Sequence, residues 1–196
     1  MPPTVLLSWS GGIDSTSCLW QLLRDGKEVL AHHVRLKNRE GREPYEKQAV
    51  DAIFEWLRAR KLSGGLTYHE TGFDYGTVKR IVRDITIMGA VSGFVAAGYP
   101  SIKTMVIAGS ATDDRRRSIG VARERRRVLA ETMAGRSFEW IQPNKSKTKA
   151  QVMAEMPPDL LALCWYCRKP RDGKPCGQCH TCREVTAGRR ALHASR

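Results

Sequence analysis

The segment Ser10-Gly11-Gly12-Ile13-Asp14-Ser15, running on into Thr16 and Ser17, joins two glycines to a carboxylate and several hydroxyls directly after an apolar run that ends at Trp9. Glycines let a backbone turn tightly and come close to an anion, while serine hydroxyls and the free N–H groups of a helix start supply donors. The chemistry this pattern serves is the holding of phosphate. No Gly-Lys-Ser/Thr follows, so the loop is not of the Walker A kind, and a lysine on the transferred phosphate is missing from this position. A plain strand-to-helix turn is the bland alternative. Glycine, acid and hydroxyl residues gathered at one junction argue against it.

The second concentration of chemistry lies near the C-terminus, where Cys164, Cys167, Cys176, Cys179 and Cys182 fall within nineteen residues, around a turn rich in glycine and proline. Paired Cys-x2-Cys spacings suit a tetrahedral metal site, and zinc is the expected ion. Spacing leaves open whether Cys164 or Cys167 completes a set with Cys176, Cys179 and Cys182, and an iron–sulfur cluster is the competing chemistry. Four thiolate ligands leave no place for water, so the ion is expected to be structural. His180, between two of these cysteines, reads as a side chain packed on the knuckle, and Cys18 as a small buried hydrophobe.

Apolar runs alternate with helical patterns along the intervening chain. Strands are expected at residues 5–9, 29–34, 66–69, 104–108 and 138–142. Helices are expected at 16–23, 45–59, 77–95 with a break near Gly89, and 114–133, and a short one opens at Thr148 with Gln151 as its capping-box partner. Strands separated by helices call for a parallel sheet covered on both faces, whose ligands bind beyond the carboxyl ends of the strands. With 196 residues the chain has room for one sizeable core and an appendage, divided here as 1–157 and 158–196. Lys and Arg exceed Asp and Glu by 33 to 20, a net charge of +13 that attracts phosphates, nucleotides or nucleic acid. Four thiolates holding one dication would lower this to about +11. No run of about 18 apolar residues occurs, and the opening MPPTVLLSWSGG lacks the basic lead and cleavage pattern of a signal peptide. The expectation is a soluble, cytoplasmic protein with no membrane partner.

Ser10-Gly11-Gly12-Ile13-Asp14-Ser15 resembles the SGGxDS signature of PP-loop ATP pyrophosphatases, and the cysteine segment is similar to the zinc motif of 7-cyano-7-deazaguanine synthases, where one cysteine precedes Cys-Gly-x-Cys-x-x-Cys. The resemblance implies a Rossmann-like fold of the adenine nucleotide alpha hydrolase type. It implies that Trp9, Ser10, Gly11, Gly12, Ile13, Asp14, Ser15, Thr16 and Ser17 bind ATP, with Asp14 fixing the loop or placing Mg²⁺. It also implies that Cys167, Cys176, Cys179 and Cys182 hold zinc, leaving Cys164 a bystander. More faintly, Gly109 in Val106-Ile107-Ala108-Gly109-Ser110 matches the family's strand-plus-glycine turn beside the nucleotide, and Lys149 a lysine that faces the active site. A solvated lysine and a glycine that merely ends a strand are the alternatives. Arg83 stands where the family carries Pro-Gly-Arg-Asn, and only the arginine matches. Asp14, Ser15, Lys149 and Arg83 are thus the implied catalytic set.

The implied activity is ATP-dependent conversion of 7-carboxy-7-deazaguanine and ammonia to the nitrile by two adenylations, in a homodimer. A second departure, His33-Val34-Arg35-Leu36-Lys37-Asn38 after the second strand, leaves the ATP chemistry better supported than the acceptor. Two other classes remain. The first is a PP-loop enzyme acting on a tRNA base or protein terminus, which the Arg115–Arg117 and Arg125–Arg127 clusters favour. Those arginines also read as a solvated helix face balanced by Asp113, Asp114, Glu124 and Glu131, without aromatic residues to stack bases, which disfavours nucleic acid as partner. The second, a non-catalytic nucleic-acid-binding knuckle, leaves the glycine loop unexplained.

Overall fold

The computed structural model describes residues 1–77, 84–111 and 117–194. Five strands, β1 (Val5–Ser8), β2 (Val29–Lys37), β3 (Leu66–Asp74), β4 (Thr104–Val106) and β5 (Glu139–Ile141), form one sheet in the order β3-β2-β1-β4-β5. Every pairing is parallel. Helices α1 (Ile13–Arg24), α2 (Glu43–Ala59), α3 (Asp84–Ala97), α4 (Arg117–Ala134), α5 (Lys149–Glu155), α6 (Pro158–Leu163) and α7 (His180–Ala194) cover both faces. This is the expected α/β, Rossmann-like architecture. None of the helices is long and apolar enough to cross a membrane among the described residues.

Strand alternation divides the core. Val5, Leu7, Val29 and Ala31 pack with α1, α2, α5 and α6, together with Val185 of α7, while Leu6, Leu30 and Met105 turn to α3 and α4. All four residues of β1 are buried because it is the central strand, flanked by β2 and β4. Chain order reverses between β1 and β4, so a crevice opens at their carboxyl ends, the place where such sheets bind ligands.

Two boundaries differ from expectation in ways that matter for the site. β2 runs on to Lys37, paired residue for residue with β3 as far as Asp74. Residues 35–37, expected beyond the strand, therefore alternate within it. Helix α3 continues unbroken through Gly89, and the glycine serves packing instead. A Cβ there would lie 2.8 Å from the Arg126 carbonyl oxygen, and one at Gly93 would lie 2.5 Å from that of Ala130. Two glycines four residues apart let the backbones of α3 and α4 nearly touch.

That contact gives opposite expectations for two glycines. Gly93→Ala must force the helices apart and should cost about 1–3 kcal/mol, read as a fall in melting temperature. Gly120→Ala, on an exposed turn of α4 with nothing within 4 Å, should gain roughly 0.5–1 kcal/mol from helix propensity.

Candidate active site

The loop between β1 and α1 is held in shape by its own residues. Gly11 has φ of +70°, and a Cβ on it would stand 3.0 Å from the Glu46 carbonyl oxygen and 3.1 Å from Ala49 Cβ of α2. Only glycine fits both restrictions. The Ser10 amide donates to Ser15 Oγ at 3.3 Å, Ser15 Oγ donates to the Gly12 carbonyl at 3.2 Å, and the two serine hydroxyls are 3.3 Å apart. Gly12 caps α1 without a side-chain bond, and the first helical bond is that of the Thr16 amide to its carbonyl. The first-turn amides of a helix have no partner within the helix, which is why such a start suits an anion.

This loop edges a cleft of about 350 Å³ lined by Trp9, Ser10, Gly12, Ile13, Asp14, Ser15 and Lys149 among the residues singled out from the sequence. Gly11, Thr16, Ser17 and Gly109 do not line it. Each residue of a helix rotates the next side chain by about 100°, which takes Thr16 and Ser17 into the core. Thr16 Oγ1 accepts from Trp9 Nε1 at 3.1 Å, and Ser17 Oγ accepts from Gln21 Nε2 at 2.9 Å. Their hydroxyls are thus taken up by structure. The Gly109 carbonyl accepts from Gln142 Nε2 at 3.2 Å. Arg83 lies outside the described residues, as do 112–116 of the arginine-rich segment; Asp84 and Ile85, which follow Arg83, line the cleft.

Lys149 is 5 % exposed and forms an ion pair with Asp14 across the cleft. It opens α5, whose N-terminus is capped by Thr148 and Gln151 in the expected reciprocal box. A cation at a helix N-terminus opposes the helix dipole, so Lys149 needs negative charge nearby, and Asp14 supplies it. The pairing also occupies the carboxylate assigned to Mg²⁺ by the resemblance.

The opposite wall carries a second charge cluster that sequence patterns did not reveal. Arg42 bridges Glu40 at 2.8 Å, Glu46 at 3.0 Å and Asp84, and Arg168 joins Glu40 at 3.2 Å and Asp84 at 3.0 Å. Tyr75 donates its hydroxyl to Asp84. Burial pushes the Asp84 carboxyl up, but the Arg42 charge, the Tyr75 hydroxyl and the Arg168 charge outweigh it and hold the group below its ordinary value. Between the clusters Val34, Leu36, Ile85 and Met88 form an apolar wall.

Arg126 was expected on a solvated helix face, and it is not there. Arg125 and Arg127 are exposed, but Arg126 is 7 % exposed, in line with buried Ala122 and Ala130 one turn to either side. That i, i+4, i+8 row was the available signal. Burial, with the nearby Arg123 charge, pulls the guanidinium down to about 10, which leaves it protonated at neutral pH.

Cys167, Cys176, Cys179 and Cys182 bring their Sγ atoms within 4.8 Å of one another, and those of Cys176 and Cys182 are 4.0 Å apart. A tetrahedral zinc with Zn–S bonds of about 2.3 Å needs sulfurs about 3.8 Å apart, so the four could hold such a metal. Backbone amides support the thiolates: the Cys176 N–H donates to Cys167 Sγ at 3.2 Å and the Cys179 N–H to Cys176 Sγ at 3.3 Å. Burial opposes ionisation of Cys179, but hydrogen bonds from the backbone N–H groups of Arg168 and Cys182 bring its thiol down to about 6. Cys164 stays apart, its thiol donating to the Leu160 carbonyl at 3.5 Å and pushed up by burial to about 12. His180 pairs with Glu184 at 2.8 Å on α7.

The cysteine segment forms one wall of the cleft. The Trp165 amide donates to the Gly11 carbonyl at 3.0 Å, its ring stacks on Tyr45 at 4.7 Å, and its Nε1 donates to the Cys167 carbonyl at 2.8 Å. Trp165, Tyr166, Cys167 and Arg168 all line the cavity.

No protein-family model matches the chain, and no curated protein matches it in sequence. Among solved structures it is similar to a predicted subunit of tRNA methyltransferase from Methanocaldococcus jannaschii, at 14% identity and a TM-score of 0.39 over 79% of this chain and 73% of that one.

Protein purified in zinc-containing medium should carry about one tightly bound ion per chain. Cys167→Ser and Cys182→Ser should each lose it and melt earlier, whereas Cys164→Ser should keep it; elemental analysis with melting curves reads both.

Proposed function

We propose that this chain is an ATP-dependent adenylating enzyme of the PP-loop type, acting on a carboxylate in the manner of 7-cyano-7-deazaguanine synthases. The observation that carries the reading is the Ser10–Ser15 loop at the β1–α1 junction, at the reversal of strand order, with Lys149 held over it by Asp14. Gly12, two serine hydroxyls and an open helix start face one cleft, a donor set that suits pyrophosphate. The apolar wall and Trp165 suit a flat heterocycle.

In this reading a carboxylate oxygen of 7-carboxy-7-deazaguanine bonds to the α-phosphorus of ATP as the α–β bridging bond breaks, and pyrophosphate leaves with the electron pair. Loop amides, Ser10, Ser15 and Lys149 neutralise the leaving group. For this Lys149 exchanges Asp14 for phosphate oxygens, and Asp14 would then help hold Mg²⁺, which would offset polyphosphate charge. Ammonia displaces AMP from the acyl adenylate to give the amide and a proton. A second ATP adenylates the amide oxygen, and loss of AMP with the remaining N–H protons leaves the nitrile. The metal held by the four cysteines stays outside these steps: as zinc it would fix Trp165 to Arg168 against the loop. The homodimer and ammonia as nitrogen donor belong to the same proposal.

Wild-type protein given ATP, Mg²⁺ and ammonia should release pyrophosphate and AMP only when 7-carboxy-7-deazaguanine is present, with nitrile as product. Asp14→Ala and Lys149→Met should each lower turnover by about 100-fold or more. No release from folded, metal-loaded protein would overturn the assignment of this acid.

A further inference from the structure

Among the described residues four cations line the cleft, and three have carboxylate partners: Arg42, Lys149 and Arg168. Arg126 has none among the described residues. Its Nη2 donates to Ser8 Oγ at 2.8 Å and to the Val106 carbonyl at 3.4 Å, both neutral oxygens, its guanidinium lies 5.9 Å from the centroid of the neutral Trp140 ring, and its buried Nε has no hydrogen-bond partner among the described residues. Ser8 in turn shares a hydrogen bond of 2.9 Å with Ser92 of α3. Neutral acceptors position a guanidinium without balancing its charge, and a buried charge left unbalanced is costly. A methionine or leucine between Ala122 and Ala130 would fill the same space without that cost.

The placement says which anion would balance it. Ser8 and Val106 are the last residues of β1 and β4, so the guanidinium spans the crevice where strand order reverses. It lies on the sheet face covered by α3 and α4, whereas the Ser10–Ser15 loop leads into α1 on the other face and has Lys149 of its own. Val34, Leu36 and Met88 stand on the Arg126 side, with Tyr75 packed among them. The cleft therefore offers polyphosphate donors on one side of the end of β1, and on the other a single cation beside an apolar wall.

We propose that Arg126 binds the carboxylate of the acceptor, and that the acceptor is a planar ring acid whose ring lies on the Val34, Leu36 and Met88 wall. This rests on reading the glycine loop as the site of the nucleotide's phosphates. Arg126 selects an acid over its neutral amide and holds the carboxylate at the crevice that separates it from the loop. The side chain also anchors α4 to the sheet, so a loss of activity alone would not distinguish binding from structure.

The test is calorimetric binding with the loop saturated by pyrophosphate and Mg²⁺. Two acid and amide pairs serve as probes, 7-carboxy-7-deazaguanine with its carboxamide and indole-3-carboxylate with indole-3-carboxamide; the second pair is independent of the heterocycle's identity. Wild-type protein should bind each acid roughly 10- to 100-fold more tightly than its amide. In Arg126→Gln that preference should fall to within about threefold, with pyrophosphate binding unchanged. Arg126→Lys, which keeps the charge and a folding-competent side chain, should retain a reduced preference and serves in place of the glutamine variant if that one does not fold. A preference unchanged in either variant, or no preference in wild-type protein that binds pyrophosphate, overturns the proposal. Acid preference lost on Arg126 substitution, in a protein that fails to bind pyrophosphate, would overturn the nucleotide reading and leave Arg126 as the acid's site.

Discussion

The left-handed turn at Gly11 is the constraint on which the cleft depends. With α2 pressed to within 3.0 Å of where a side chain would begin, the chain leaves β1, reverses, and enters α1 in four residues. The reversal points Ser10, Gly12 and Ser15 into one space and leaves the Gly11 carbonyl directed away from the loop, where the Trp165 amide takes it up. A single backbone conformation thus shapes the phosphate-binding edge and docks the cysteine-rich segment against it. Because Cys167 follows Trp165 by two residues, a metal held by the four cysteines would stiffen the cleft wall without touching a ligand.

Charge in the cleft is sorted by position. Lys149 is held by Asp14 on the loop side, Arg42 and Arg168 by Glu40, Glu46 and Asp84 on the wall formed by α2 and α3, and Arg126 sits at the floor with neutral oxygens and the Trp140 ring as its partners among the described residues. Breaking a buried pair is costly because it strands the partner, so the two clusters resist rearrangement unless a ligand supplies equivalent charge. Arg168 belongs to both the cysteine segment and the Asp84 cluster. Its ion pairs add a second attachment of that segment to the body, independent of the Trp165 hydrogen bond.

The close approach of α3 and α4 bears on the site as well. Gly89 stands against Arg126, and this lets α4 come near enough to the sheet for the guanidinium to reach Ser8 and Val106. A bulkier residue at position 89 would shift the cation away from the crevice. The cleft floor therefore depends on a glycine that does not itself line the cleft.

Period and punctuation alone determine much of this molecule. The five strands, the capping box at Thr148, the phosphate loop and the cysteine knuckles could be read directly, because each rests on residues close together in the chain. Spacing could not choose between Cys164 and Cys167; the tertiary structure does, burying Cys164 on the Leu160 carbonyl and gathering the other four sulfurs. Nor could it extend β2 through residue 37, which follows from pairing with β3, or say which neighbours would bury Arg126, whose alignment with Ala122 and Ala130 hints only at an inward face. Those outcomes depend on which surfaces meet when distant segments pack, and the energy of a buried charge or a paired strand edge is set by neighbours that local sequence does not contain.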